Sequence, residues 1–178
     1  MGKDQDANKG IIIAAISTAT AGFLDPTPGG FDCPFMVGVW ATMLVGLGVH
    51  YNIDVNKKAL VNTLTSALGC SALYIGGAKL FATALKYTGL GTIAGCIVNA
   101  VLNGVFTCRV GGIYKNCWSK GDKWPTAKEI ADALINIVSF TAIGEIVRTT
   151  RSVARGKCWT DSKDRNKIFE CLFAKFID

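Results

Sequence analysis

Residues 33–53 read CPFMVGVWATMLVGLGVHYNI and contain no Asp, Glu, Lys or Arg. A helix needs about 20 consecutive apolar residues to cross a bilayer, and this segment is long enough. It has no polar stripe, so we predict that its helix is buried on all sides, in protein or in lipid. Asp32 and Pro34 stand where helix starts favour an acid and a proline, and the helix is predicted to end near Tyr51.

A second uncharged stretch, residues 87–108, lies further along the chain. We predict a helix there from residue 92 to about residue 114. Small and amide-bearing residues recur at a four-residue step in this stretch, at Gly91, Gly95, Asn99 and Asn103. Residues four apart share one side of a helix, so this ridge is predicted to let a second helix pack closely and share hydrogen bonds. The glycine spacing is GxGxxxG without a preceding strand, which is not the pattern of a nucleotide-binding loop.

The segment between these two stretches is amphipathic. Residues 57–68 place four apolar side chains on one helix face: Leu60, Val61, Leu64 and Leu68. Residues 71–87 continue the pattern with a polar stripe at i, i+4 and i+7: Lys79, Thr83 and Lys86. The uncharged window 59–78 therefore has two interpretations, because its length suits a bilayer span whereas its periodicity suits an interface or a groove.

The ends of the chain carry their own helix signals. Residues 8–23 are predicted to form the first helix, with Asn8 as its cap, and the Pro- and Gly-rich residues 25–30 to end it. Thr126 and Glu129 form a capping-box pattern that opens a helix predicted to end near Thr149. A short amphipathic helix is predicted at residues 165–176.

Strand signals are missing, since no period-two alternation of any length occurs in the sequence. We therefore predict an all-α fold, a Gly-rich helical bundle of about six or seven helices. Two of them, in residues 33–53 and 87–108, are predicted to be membrane-spanning or fully buried. Residues 1–130 are predicted to form the Gly-rich apolar domain, and residues 131–178 a continuing helix and a basic tail.

The composition favours association with a membrane. Hydrophobic residues make up 50% of the chain, charged residues only 18%, and the 20 glycines fall mostly within apolar segments, where membrane helices tolerate Gly. The net charge of +6 suits an anionic membrane surface. Four basic residues are predicted to lie on that surface: Arg148, Arg151, Arg155 and Lys157. They lack the aromatic interleaving of a nucleic-acid module, so no nucleic-acid partner is expected.

Side chains for catalysis or metal binding do not converge in the sequence. His50 is the only histidine and no C-x-x-C occurs, so neither a metal nor a cofactor is expected, and we predict that the protein is not an enzyme. A P-loop NTPase is excluded because no GxxxxGK[ST] motif occurs. The seven cysteines lie mostly among apolar residues, which indicates a reducing compartment. Glu145 and Arg148 are predicted to form an ion pair, and Trp118 and Trp124 suit either a bilayer interface or ordinary packing.

Four features follow one another in the first two thirds of the chain. They are a break, an apolar helix containing Met, a Tyr-x-x-Asp turn, and a Gly-Thr-x-x-Gly helix. The residues that carry this order are Pro28, Asp32, Met43, Asp54 and Thr92. Over about residues 8–130 this order resembles domain-of-unknown-function family 697. The resemblance implies a helical, membrane-seeking domain associated with Era-like or immunity-related-type GTPases. Because this chain has no P-loop, the implied GTPase would be a separate polypeptide.

Three functions stay open at this point. The first is a non-enzymatic, membrane-associated anchor or adaptor that faces the cytoplasm, has a GTPase as its partner and can form homo-oligomers. The second is a pore-forming or bilayer-perturbing protein in which residues 33–53 and 87–108 insert into the bilayer. The third is a soluble cytoplasmic carrier that holds an apolar ligand between its helices.

Overall fold

The computed structural model describes residues 2–24, 33–87, 92–121 and 124–177. For residues 3, 33, 73–87, 92, 140 and 141 it describes the backbone and not the side chain. Within these ranges the chain forms seven helices and no strand, which confirms the predicted all-α class. The helices are α1 (Gly2–Leu24), α2 (Cys33–Tyr51), α3 (Lys57–Tyr87), α4 (Thr92–Lys120), α5 (Ala127–Ile137), α6 (Phe140–Ala154) and α7 (Ser162–Phe173).

The bundle is organised around α4, which packs against α1, α2, α3, α5 and α7. Its side chains are buried on most sides, as at Phe106, Cys108 and Val110. A largely apolar helix is stable in this position because most of its surface is covered by the neighbouring helices. Helix α4 continues to Lys120, beyond the predicted end near residue 114.

Helix α1 runs antiparallel to α4, since Asn8 lies beside Lys115 and Gly22 beside Asn99. The predicted start at residue 8 is wrong, because α1 begins at Gly2. Asp4 in the first turn suits the positive end of the helix dipole. Asn8 is therefore not a cap. Its Oδ1 instead accepts a hydrogen bond from Lys115 Nζ at 2.9 Å.

Helix α2 ends at Tyr51, as predicted, and Asn52 follows with a left-handed φ of 57°. Asn tolerates this conformation better than most residues. The helix is not buried on all sides within the protein, however. Trp40 and Leu44 are fully buried against the bundle, whereas Val49 is 73% exposed.

Helix α3 is one continuous helix with an apolar and a polar side. Leu60 and Leu64 are fully buried, while Asn62 and Thr65 are exposed, which confirms the amphipathic pattern predicted for residues 57–68. The predicted polar stripe is formed by side chains that lie outside the described part of the structure: Lys79, Thr83 and Lys86.

Helix α5 opens on the predicted capping box. Thr126 Oγ1 accepts a hydrogen bond from the amide of Glu129 at 3.2 Å, and Glu129 Oε2 accepts one from the amide of Thr126 at 2.7 Å. The hydrogen bonds from Thr126 lower the pKa of the Glu129 carboxyl. Two of the free amides at the helix start are thereby satisfied.

The helix predicted to run from the capping box to about Thr149 is two helices, so that prediction is wrong. Helix α5 ends at Ile137, and α6 starts at Phe140 after a bend of 62°. Ser139 restarts the helix because its hydroxyl accepts a hydrogen bond from the amide of Ala142 at 3.3 Å.

Helix α7 begins and ends three residues earlier than predicted, with Asp161 as its N-cap. Its apolar side belongs to the same core as α1 and α4, through Phe169, Leu172 and Phe173. The opposite side is charged and exposed, with Lys167 and Glu170 facing outward. Helix α7 thus covers α4 with an amphipathic layer.

Candidate functional site

Three helices in the described part of the chain are long and apolar enough to cross a membrane. They include residues Asp4–Leu24, Pro34–Tyr51 and Ile93–Lys120. The sequence predicted the second and third of these spans but not the first, which lies in α1. The most apolar windows of α1, α2 and α4 are 39%, 44% and 67% buried, so α1 and α2 present more apolar surface to the surroundings than α4 does.

The outer sides of α1 and α2 form a wide apolar groove of about 740 Å³. Ile13 and Phe35 line it and are 66% and 49% exposed. Gly10, Gly38 and Gly46 also line it, and a Cβ placed on any of them would meet no atom within 4 Å. This groove, here called the outer face, is mainly apolar, although Asp6, Ser17, Thr42 and His50 also line it. Exposed apolar surfaces mark contacts with a membrane or a partner.

A chain of buried polar groups joins α1, α2 and α4. Thr107 Oγ1 accepts a hydrogen bond from Trp40 Nε1 at 2.8 Å, lies 2.8 Å from Thr18 Oγ1, and donates to the carbonyl of Asn103 at 2.8 Å. Asn99 Nδ2 donates to the carbonyl of Gly22 at 2.8 Å. We call these residues the polar seam. Such hydrogen bonds fix the register of apolar helices, whose packing alone is poorly specific.

The ridge predicted on α4 lies partly within the polar seam. Asn99 and Asn103 face α1, and Gly95 is buried, whereas Gly91 lies outside the described residues. Gly22 lets the helices approach, because a Cβ there would overlap the side chain of Asn103.

Sequence reasoning missed part of the seam, namely Thr18, Gly22, Trp40 and Thr107. A signal was present on α4, since the four-residue step that includes Asn99 and Asn103 continues to Thr107 and Gly111. Gly111 also packs closely on α1, because a Cβ there would lie 2.7 Å from the side chain of Ile11.

The residues that carry the family resemblance are spread over the structure. Met43 is buried on α2, and Asp54 is exposed in the connection that follows that helix. Thr92 is the first residue of α4, and its side chain lies outside the described residues, as do Pro28 and Asp32 entirely.

Groups that bear chemistry do not cluster in the described part of the chain, where no three His, Cys, Asp or Glu side chains could share a metal ion. His50 lies at one end of the outer face, with its ring edge-on to Tyr51 at 5.1 Å. The predicted ion pair between Glu145 and Arg148 is absent, because these two described side chains do not approach within 4 Å. Both are exposed, where water offsets most of the gain from pairing.

The predicted basic residues lie at the C-terminal end of α6, where Arg148 and Arg151 belong to the helix, Arg155 is its C-cap and Lys157 follows. Arg148, Arg151 and Arg155 are exposed on one side of the helix, whereas Lys157 donates to the carbonyl of Val153 at 2.8 Å and closes the helix end.

The aromatic residues near the end of α4 pack on one another. Trp118 lies 5.1 Å from Tyr114 and 5.4 Å from Trp124, with ring planes inclined at 69° and 65°. These are edge-to-face contacts of the kind that stabilises protein interiors. Trp118 is buried and Trp124 is 39% exposed, so only Trp124 presents a large ring to the surroundings.

Comparison with known proteins does not identify a relative. No family model matches the chain, and no significant similarity to a curated protein or to a solved structure is found.

Proposed function

We propose that the protein is a non-enzymatic membrane anchor whose outer face, on α1 and α2, lies against lipid. The observation that carries this proposal is the presence of three helices long and apolar enough to cross a bilayer, two of which leave much of their apolar surface uncovered. Ile13 and Phe35 alone expose 66% and 49% of their surfaces on that face. Apolar surface of this extent is stable in lipid and unfavourable in water.

The polar seam supports a bundle that works in an apolar medium. Lipid gives helices no hydrophobic reason to associate, so small residues and interhelical hydrogen bonds hold them together. Gly22 and Gly111 provide close approach between α1 and α4, and Asn99 and Thr107 provide the hydrogen bonds. The exposed arginines of α6 would then meet the anionic headgroups of the cytoplasmic leaflet.

The proposed partner class rests on the resemblance to family 697, which makes a GTPase the protein that this anchor would hold at the membrane. The anchor needs no chemistry of its own for that role. Affinity purification of the protein from the source cell, followed by a GTPase assay on the proteins that copurify, tests this part of the proposal.

Flotation with vesicles of phosphatidylglycerol and phosphatidylcholine tests the anchor itself. We expect the full chain to float with the vesicles and to stay bound in high salt, because apolar burial is not screened by ions. Ile13→Lys should reduce the bound fraction at least about tenfold, since a lysine within the bilayer costs about 2.5–3.5 kcal/mol.

Asn62→Lys is the matched control, because it adds the same charge at an exposed site on the polar side of α3. It should float like the unchanged protein. Release of the unchanged protein by salt would mean that it is held only by its arginines, and would rule out insertion of the outer face.

Perturbation of the bilayer is a second candidate function, and it would require α7 to move away from α4. Helix α4 carries the longest apolar span, yet α7 lies along it with Lys167 and Glu170 facing outward. Charged side chains beside the middle of α4 do not suit a lipid-facing helix. For α4 to enter a bilayer on that side, α7 would first have to leave it.

Release of a trapped dye from vesicles separates the two functions. An anchor that keeps α7 on α4 should bind vesicles without leakage. We expect leakage from anionic vesicles to remain at the level of the protein-free control. Leakage that rises with protein concentration would favour the bilayer-perturbing function over the anchor.

A further inference from the structure

Helices α4 and α6 face each other across a gap of about 750 Å³. On the α4 side the wall is apolar, as at Val98 and Val101, and on the α6 side it includes Ile146 and Val147. No described Cα atom of α6 lies within 8 Å of one in α4, so the two helices are not closely packed along this gap. Protein interiors are normally close-packed, and apolar walls that stay apart lose the contacts that packing would give them.

The polar groups of this gap, here called the α4–α6 groove, lie at the C-terminal end of α6 and on its C-cap residue. Arg151 and Arg155 line it, and neither guanidinium has a hydrogen bond or ion pair with a described residue. The hydroxyl of Thr150, which also lines the groove, is buried and lacks a hydrogen-bond partner among the described residues. No described acid lines the groove, and the nearby Glu145 is exposed outside it.

We infer that the α4–α6 groove binds one anionic phospholipid, with an acyl chain between α4 and α6 and the phosphate against Arg151 and Arg155. The volume of the groove lies within the range of about 300–1,000 Å³ that is usual for ligand sites. Each methylene that leaves water for such a site adds buried apolar area and so favours binding. Two arginines four residues apart in the chain, both lining the groove, can give the phosphate several charge-assisted hydrogen bonds.

The pattern of groups favours a lipid over other occupants. A soluble anion would use the arginines but leave the apolar walls of the groove unfilled. A neutral apolar ligand would fill the groove but make no use of the two guanidiniums, and it would leave the Thr150 hydroxyl without a partner. An anionic amphiphile satisfies both parts, and a membrane supplies it at high local concentration. This inference rests on the proposed function in that respect, because the lipid would come from the membrane to which the protein binds.

Native mass spectrometry of the full chain tests the inference, after reconstitution with phosphatidylglycerol and transfer to a mild detergent. We expect one phosphatidylglycerol to remain bound per chain. Arg151→Gln with Arg155→Gln should lower the retained fraction about tenfold or more, because hydrogen bonds to charged groups contribute about 1.5–3 kcal/mol each. Added inorganic phosphate should not displace the lipid, since it cannot fill the apolar walls.

The matched control is Lys163→Gln with Lys167→Gln, which removes two charges at the same spacing from the exposed side of α7. It should retain phosphatidylglycerol like the unchanged protein. Val147→Trp fills the groove from a site that is 42% exposed, and should abolish retention without loss of the folded state. Circular dichroism melting of each variant verifies that it folds.

Two outcomes would overturn the inference. Equal retention by the arginine variant and its control would show that the lipid is held elsewhere, and a dimer lost with Val147→Trp would show that a second copy of this chain fills the groove. Vesicle flotation keeps the two proposals apart. A protein that floats but retains no lipid refutes the groove site alone, whereas failure to float refutes the anchor.

Discussion

Phe173→Ala should lower the free energy of unfolding by about 3–5 kcal/mol, as expected for truncation of a large buried aromatic side chain. The ring is fully buried, stacks on Phe169 with centroids 5.5 Å apart, and lies directly against Gly104 of α4. Its removal leaves a cavity between α7 and α4 that the surrounding helices can fill only in part. Urea or thermal unfolding in one fixed detergent measures the change. Phe35→Ala, at a ring that is 49% exposed, should change stability much less.

The contact between Phe173 and Gly104 can be isolated with a double-mutant cycle. A Cβ on Gly104 would overlap the ring of Phe173, so Gly104→Ala should destabilise the protein by about 1–3 kcal/mol. In the Phe173→Ala background the overlap is gone. The same substitution should then stabilise by about 0.5–1 kcal/mol, the usual helix preference for Ala over Gly.

Gly46→Ala is the control for helix preference, because a Cβ on Gly46 meets nothing within 4 Å. It should stabilise the protein in both backgrounds. Equal effects of Gly104→Ala in the two backgrounds would show that Phe173 and Gly104 are not coupled, and that α7 is held on α4 by other contacts.

Thiol labelling reports whether α7 has moved. Cys108 is fully buried, and its Sγ lies 3.8 Å from the carbonyl oxygen of Phe173. In the Phe173→Ala variant, N-ethylmaleimide should modify Cys108 much faster than in the unchanged protein, while the exposed Cys171 should react alike in both. A protected Cys108 in a destabilised variant would mean that α7 remains docked.

Local chemistry made much of this fold predictable. Two helix ends depend only on residues within one turn of the end itself. They are the start of α5 at the capping box of Thr126 and Glu129, and the end of α2 at Tyr51, and both predictions are confirmed. The predicted start of α1 is wrong because the helix begins in the polar residues before the apolar run at Ile11, with Asp4 in its first turn. The break between α5 and α6 was missed because Ser139 is a weak signal within an apolar pattern.

The candidate sites depend on how distant helices pack against one another, and local sequence patterns do not predict that packing. The four-residue spacing of Asn99 and Asn103 predicts the ridge on α4. Its partner Gly22 cannot be predicted in the same way, because the contact depends on how α1 packs against α4. The α4–α6 groove exists because the chain bends by 62° before α6, so that Arg151 lies over a wall of α4. From the sequence alone, Arg151 and Arg155 are predicted only to lie on a basic surface, and not to line a groove.

Thr107→Val should destabilise the protein by about 1–3 kcal/mol, the cost of leaving a buried donor without its acceptor. The substitution keeps the shape of the side chain and opens no cavity. Trp40 Nε1, which donates to the Thr107 hydroxyl at 2.8 Å, loses its acceptor in a fully buried environment. Thr18 loses less, because its hydroxyl also lies within hydrogen-bond distance of the carbonyl of Ala15, at 3.1 Å.

Thr42→Val is the matched control, since Thr42 is an exposed threonine on α2 whose hydroxyl bonds, among the described residues, only to the carbonyl of Gly38. Its unfolding midpoint should stay close to that of the unchanged protein, whereas Thr107→Ser, which keeps the hydroxyl, should recover part of the stability lost in Thr107→Val. Equal midpoints for the Thr107→Val and Thr42→Val variants would mean that the polar seam does not stabilise the bundle. The association of α1, α2 and α4 would then have to come from close packing at glycines such as Gly22 and Gly111.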